Sequence, residues 1–139
     1  MNNDLNWNWI FKGFLSQRRN TIQIWYDAQT EDVQNDFSFL IKTLRTRSPE
    51  EWGNMKMSKI LRPPFKPLTE LRFETNRIPY RPVGFSGVGR QTFTILTVAT
   101  KQNFDRECKR ALQRLSLVQQ DPGEYSNESD CLSDITRKA

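Results

Sequence analysis

Leu68-Thr69-Glu70-Leu71-Arg72-Phe73-Glu74, Ile78-Pro79-Tyr80-Arg81-Pro82-Val83-Gly84-Phe85 and Thr92-Phe93-Thr94-Ile95-Leu96-Thr97-Val98 follow one another with only short gaps. Each run is rich in residues that suit a pleated strand, and the first alternates from Glu70 to Glu74. Turn formers fill the gaps, Thr75-Asn76-Arg77 and Ser86-Gly87-Val88-Gly89, so the simplest topology is an antiparallel meander. Alternation puts Glu70, Arg72 and Glu74 on one face of the first strand, with Leu71 and Phe73 on the other. Proline cannot donate to a ladder, so the strand holding Pro79 and Pro82 is expected to be bulged or short. Gly84, Gly87 and Gly89 lack the spacing of a phosphate-binding loop, and no helix follows them; they read as a hairpin turn.

Upstream, Thr21-Ile22-Gln23-Ile24-Trp25-Tyr26 is β-rich and roughly alternating, and reads as a first strand. A helix is expected from Glu31 to Arg47, with Thr30 as cap and an apolar face of Val33, Phe37, Leu40, Ile41 and Leu44. Ser48-Pro49-Glu50-Glu51 is a strong helix start: Ser caps, Pro takes the first helical position, and Glu51 completes a capping box. The short helix it opens, carrying Trp52, Met55 and Ile60, stops before Pro63-Pro64, giving a helical hairpin. Residues 1–20 read as an N-terminal aromatic and basic arm, in which Leu5, Trp9, Ile10 and Phe14 approximate a helical stripe. Such an arm can pack on the body, dock a partner or lie on a membrane surface.

Downstream, a last helix starts near Asn103 with a stripe of Phe104, Cys108, Ala111, Leu112, Leu115 and Val118, and ends at Asp121-Pro122-Gly123. Residues 121–139 hold five acids and two bases and read as a disordered acidic tail. The order is strand, two helices, three strands, helix. The expected fold class is therefore α+β, with one domain over residues 21–120, helices on one side of a small antiparallel-type sheet, and a basic exposed face on the other.

Composition narrows the chemistry. The net charge is +5, and the first 120 residues alone hold a balance of +8, which favours a polyanionic partner. There is no histidine, which removes the commonest general base and zinc ligand. The two cysteines, Cys108 in a helix and Cys131 in the tail, form no disulfide framework; Cys108 reads as a small core residue. No run is long and apolar enough to span a bilayer, and Met1-Asn2-Asn3-Asp4 is unlike a signal peptide, so no membrane association and a cytoplasmic location are expected. No metal and no cofactor are expected.

The stretch from Phe65 to Leu115 resembles the RelE/HigB-type toxins of bacterial toxin–antitoxin systems, in particular the phage-related branch of the RelE/ParE superfamily. The residues that carry the likeness are Lys66-Pro67-Leu68-Thr69-Glu70-Leu71-Arg72-Phe73, Tyr80-Arg81, the aliphatic strand from Phe93 to Ala99, Lys101, and Ala111-Leu112-Gln113-Arg114-Leu115. With the matching element order from Ile22 to Leu61, it covers about two-thirds of the chain. The resemblance implies a RelE-like fold and a ribosome-dependent endoribonuclease that cuts messenger RNA, inhibits translation and is silenced by a cognate antitoxin. Carried over by position, Arg81 matches a strand arginine beside a tyrosine, Arg72 an arginine on the preceding strand, and Lys101 a basic position after the final strand. Glu70 stands where some members carry lysine. Lys66, Arg77, Arg90 and Arg106 are further basic residues expected to contact RNA.

Cleavage by internal attack needs a base for the 2′-hydroxyl, charge stabilisation for the phosphorane, and a proton for the leaving oxygen. Arginine serves the second need, with a fork of donors matched to phosphate. Glu70, Lys101 and Tyr80 are the candidates for the proton transfers. No metal is required, because the nucleophile belongs to the substrate. Tyr80 and Trp25 can also stack on splayed bases or pack in the core. Other functions fit the same fold, a gyrase-binding poison that is not a nuclease or a phage accessory module that only binds partners.

Overall fold

Asn20 turns the chain from strand into helix. Its side-chain oxygen accepts hydrogen bonds from the backbone N–H groups of Ile22 and Gln23, at 3.0 Å each. That cap makes Thr21–Asp27 a helix, α1, and not the strand its β-rich composition predicts. Ile22, Trp25 and Tyr26 then fall on one side, where Ile22 is buried and both rings meet Phe37. Burial against Phe37 overrides the strand preference of these residues.

The computed structural model describes residues 6–133. The elements before α1 are β1 (Ile10–Ser16) and β2 (Arg19–Asn20). After it come α2 (Glu31–Arg45), α3 (Pro49–Asn54), β3 (Ser58–Ile60), β4 (Thr69–Leu71), β5 (Phe73–Thr75), β6 (Ile78–Ser86) and β7 (Thr92–Thr100). α4 (Phe104–Gln120), α5 (Pro122–Tyr125) and β8 (Ser126–Asn127) complete the described chain. The class is α+β, as expected. The caps of α2 and α3 form as read, including the reciprocal Ser48–Glu51 box. Ile60 lies in edge strand β3, so α3 is shorter than its apolar residues imply.

Three expectations need correction. The arm is not an appendage: β1 pairs in parallel with β7, from Ile10↔Thr92 to Gly13↔Ile95. Trp9, Phe11 and Phe14 are buried, Phe11 and Phe14 toward opposite faces, which is strand and not helix periodicity. The sheet is consequently mixed, in the order β2-β1-β7-β6-β4-β3, with β5 on β6 and β8 on β1. The acidic tail is ordered where it is described. β8 pairs antiparallel with β1, and Leu132 is fully buried, its carbonyl accepting from the Arg45 guanidinium at 2.8 Å. Tyr125 stacked on Phe14 and Cys131 packed on the core add to that anchor, and the polar composition hides it. Leu5 of the arm and residues 134–139 of the tail lie outside the described residues.

The helices cover both faces of the sheet, not one. Phe93 and Ile95 of β7 join Ile22, Phe37, Leu40, Leu44 and Trp52 from α1–α3 in one core. Leu96 and Ala99 of the same strand join Cys108, Ala111, Leu115 and Val118 of α4 in the other. β7 is thus a central strand, buried throughout from Thr92 to Thr97. β6 crosses it closely: a Cβ on Gly84 would lie 2.1 Å from the Thr94 carbonyl oxygen, so only glycine fits. A register shift at Val83/Gly84 accommodates the contact, the bulge that the prolines of this strand led us to expect.

Candidate functional site

The ladder between β4–β5 and β6 keeps one register, through Thr69↔Gly84, Glu70↔Val83 and Phe73↔Tyr80. That register sets Leu71 against Pro82, which has no N–H to give, and the strand is interrupted there. The Arg72 N–H turns instead to the Met57 carbonyl at 2.9 Å. The same register sets Arg72 directly opposite Arg81. Like charges facing across a sheet repel, so the pair needs a counter-charge. Glu70 supplies it. Its Oε2 accepts from Arg72 Nε at 2.8 Å and lies 3.8 Å from Arg81 Nε, with only 4% of its side chain exposed.

Arg72, Phe73, Glu74, Pro79, Tyr80 and Arg81 line one open hollow of about 360 Å³. Tyr80 stacks on Phe73 with ring centroids 5.0 Å apart, and the edge of Trp25 meets Tyr80 at 6.4 Å. Arg81 also lies over the Phe104 ring of α4, 5.2 Å from its centroid. Both arginines meet Glu70 through Nε. Their terminal nitrogens, the fork that grips a phosphate, show no hydrogen-bond partner among the described residues. Three of the five residues expected to act in catalysis, Arg72, Arg81 and Glu70, therefore meet on one face of the sheet, while Tyr80 borders the hollow with its ring stacked on Phe73 on the other face.

Lys101 does not line the hollow. It is exposed one residue past Thr100, the β7 partner of Tyr80. The other basic residues do not converge either. Arg77 and Arg90 are exposed in the turns at opposite ends of β6. Lys66 borders a separate hollow of about 480 Å³ beside Ile60 and Phe85, with a single charged side chain in its lining. Arg106 lies on α4 with its Nε 3.5 Å from Glu107 Oε2.

Sequence reasoning missed a second polar cleft, between α1 and α4. β1 stops pairing with β7 at Ile95 and turns away, so the rest of β7 has no strand on that side. Side chains cap its edge: Arg114 donates to the Leu96 carbonyl at 2.7 Å, and the Thr100 N–H donates to Asn103 Oδ1 at 2.8 Å. Asn103 thus caps a strand end and not, as expected, the first turn of α4. The cleft of about 270 Å³ left there is bordered by Trp25, Thr97, Glu107, Arg110 and Arg114. Glu107 is buried and accepts from the Thr97 hydroxyl at 2.5 Å. Burial, reinforced by Arg110, lowers the pKa of Arg114 from its ordinary value, with Glu107 opposing.

Cys108 lies between the two sites. Burial pushes its thiol up to about 11, with Asp105, Glu70 and Glu107 adding and Arg81 opposing. It is a free, buried core residue, as read from the sequence. Among the described residues no group of three or more acidic or thiol side chains could hold a metal, and no helix is long and apolar enough to cross a membrane. Comparison of the chain with protein-family models, with curated proteins and with solved structures finds no match in any of the three.

Proposed function

We propose that this chain is an RNA-cleaving toxin of the RelE/HigB type, acting on messenger RNA without a metal. The observation that carries the reading is the cross-strand pair Arg72–Arg81 at the lip of one hollow, held from below by the buried Glu70. Two preset guanidinium groups bind the scissile phosphate and offset the extra charge of the phosphorane without reorganising. Glu70, tied to Arg72, acts as a positioning residue. Tyr80 and the exposed Lys101, which follows the β7 partner of Tyr80, are the candidates for the proton transfers. The three-stranded meander followed by a closing helix also supports the reading, whereas the strand expected over residues 21–26 is helix α1. A RelE-like fold, a cognate antitoxin that covers the hollow, ribosome-bound messenger RNA as substrate and action in the cytoplasm follow from it.

Expression in a sensitive bacterial host, with mapping of RNA 5′ ends, tests the proposal. Growth arrest with new cuts in translated RNA, both lost in Arg81→Ala, is the expected result. Arrest accompanied by DNA damage and intact RNA would point to the non-nuclease poison. No arrest, or an Arg81→Ala chain as toxic as the parent, would overturn the reading.

A further inference from the structure

The cleft between α1 and α4 carries a carboxylate that is buried but not saturated. Glu107 has two oxygens with roughly four acceptor sites. Among the described residues its one short hydrogen bond comes from the Thr97 hydroxyl. Arg106 and Arg110 approach no closer than 3.5 and 3.7 Å, and their side chains are 71% and 51% exposed. A buried anion so loosely partnered is costly, and a ligand with donors of its own would relieve it.

The surroundings restrict what that ligand is. Arg110 and Arg114 outnumber Glu107, so the cleft favours an anion. Trp25 gives it an aromatic wall, and the volume suits one small molecule or one nucleotide. The ligand needs a flat ring, adjacent N–H donors at one end and a negative group at the other. Among the common nucleobases only guanine offers two neighbouring donors, N1–H and N2–H, to a carboxylate. Adenine and cytosine place an acceptor next to their amino group, and uracil flanks its single N–H with two carbonyls. Each of these sets an acceptor against Glu107.

We propose that this cleft is a guanine-nucleotide subsite, in which Glu107 accepts from the Watson–Crick edge of the base, Trp25 stacks on it, and Arg110 with Arg114 takes the phosphate. Trp25 and Tyr80 are in edge contact and border the two hollows from either side, so a guanosine seated here would lie next to a phosphate held by Arg72 and Arg81. The nature of the bound polymer rests on the RNA reading above; binding of a free nucleotide does not.

Calorimetric titration of the full chain with guanosine, inosine, adenosine, cytidine and uridine 5′-monophosphates tests the assignment. Guanosine monophosphate should bind about ten- to a hundredfold more tightly than the adenosine, cytidine and uridine forms. Inosine monophosphate, which lacks the 2-amino donor, should fall between. Glu107→Gln should erase the preference, and Arg110→Ala, at an exposed position, should weaken every nucleotide alike. Absence of binding, equal binding of all five, a preference that survives Glu107→Gln, or an Arg110→Ala chain with unchanged affinity would each overturn the proposal. Arg81→Ala should bind guanosine monophosphate like the parent, so loss of toxicity with binding retained separates failure of the nuclease reading from failure of this one.

Discussion

Two clusters in this molecule have the same composition, one buried glutamate and two flanking arginines, and differ in how tightly they close. Around Glu70, Arg72, two residues further along the same run, closes to 2.8 Å, while Arg81 on the facing strand stays at 3.8 Å. Around Glu107 they come from the same helix, one residue before and three after, on long solvated side chains that stop at 3.5 and 3.7 Å. Each carboxylate accepts one short hydrogen bond, from a guanidinium at Glu70 and from the neutral Thr97 hydroxyl at Glu107. Holding two flexible charged side chains together costs entropy, so the solvated helix arginines give Glu107 no contact pair. The difference separates a glutamate with a positive charge in contact from one whose close partner is neutral.

The sharpest way to break this comparison is Arg81→Ala. If Glu70 holds the arginines for a phosphate, RNA cleavage should fall about a hundred- to a thousandfold while far-ultraviolet circular dichroism stays the same. Glu70→Gln comes next. It leaves two guanidinium groups facing each other without a counter-charge, and urea titration should show a loss of about 1.5–3 kcal/mol. Glu107→Gln keeps an acceptor for Thr97 and removes only distant ion pairs, so the same titration should register about 1 kcal/mol or less. Equal losses at the two glutamates would erase the distinction. The smallest effect is electrostatic. Thiolate absorbance of Cys108, followed in a Cys131→Ser background, should titrate near the raised value of about 11. Carboxylates repel a thiolate, so Glu70→Gln or Glu107→Gln should lower that value by less than one unit, whereas Arg81→Ala should raise it.

Where a local signal and the tertiary environment agree, this chain is readable. The caps at Thr30 and Ser48 form, the three β-like runs pair as a meander, and strand alternation puts Arg72 beside Glu70, while Arg81 came from the resemblance. Ile22–Tyr26 misleads because β-branched and aromatic residues also fit a helix once Asn20 caps it and Phe37 packs on it. Trp9, Ile10 and Phe14 happen to match a helical spacing although they lie in or beside a strand buried on both faces. The helices on both faces were hidden for a related reason, since a strand such as Thr92–Thr97, interspersed with threonine, looks half-solvated until Thr94 and Thr97 find hydrogen-bond partners. The second cleft left one clue. Glu107, Ala111, Arg114 and Val118 are spaced four, three and four apart, which sets two charged residues on a ridge with two buried ones.

Arg45 reaches two carbonyls far apart in the chain, Trp9 before β1 and Leu132 after β8, and donates to both from inside the core. A ribosome synthesising this chain must therefore release Leu132 from its exit tunnel before that knot of contacts can close. Closure of the core around Arg45 thus waits for almost the last of the described residues.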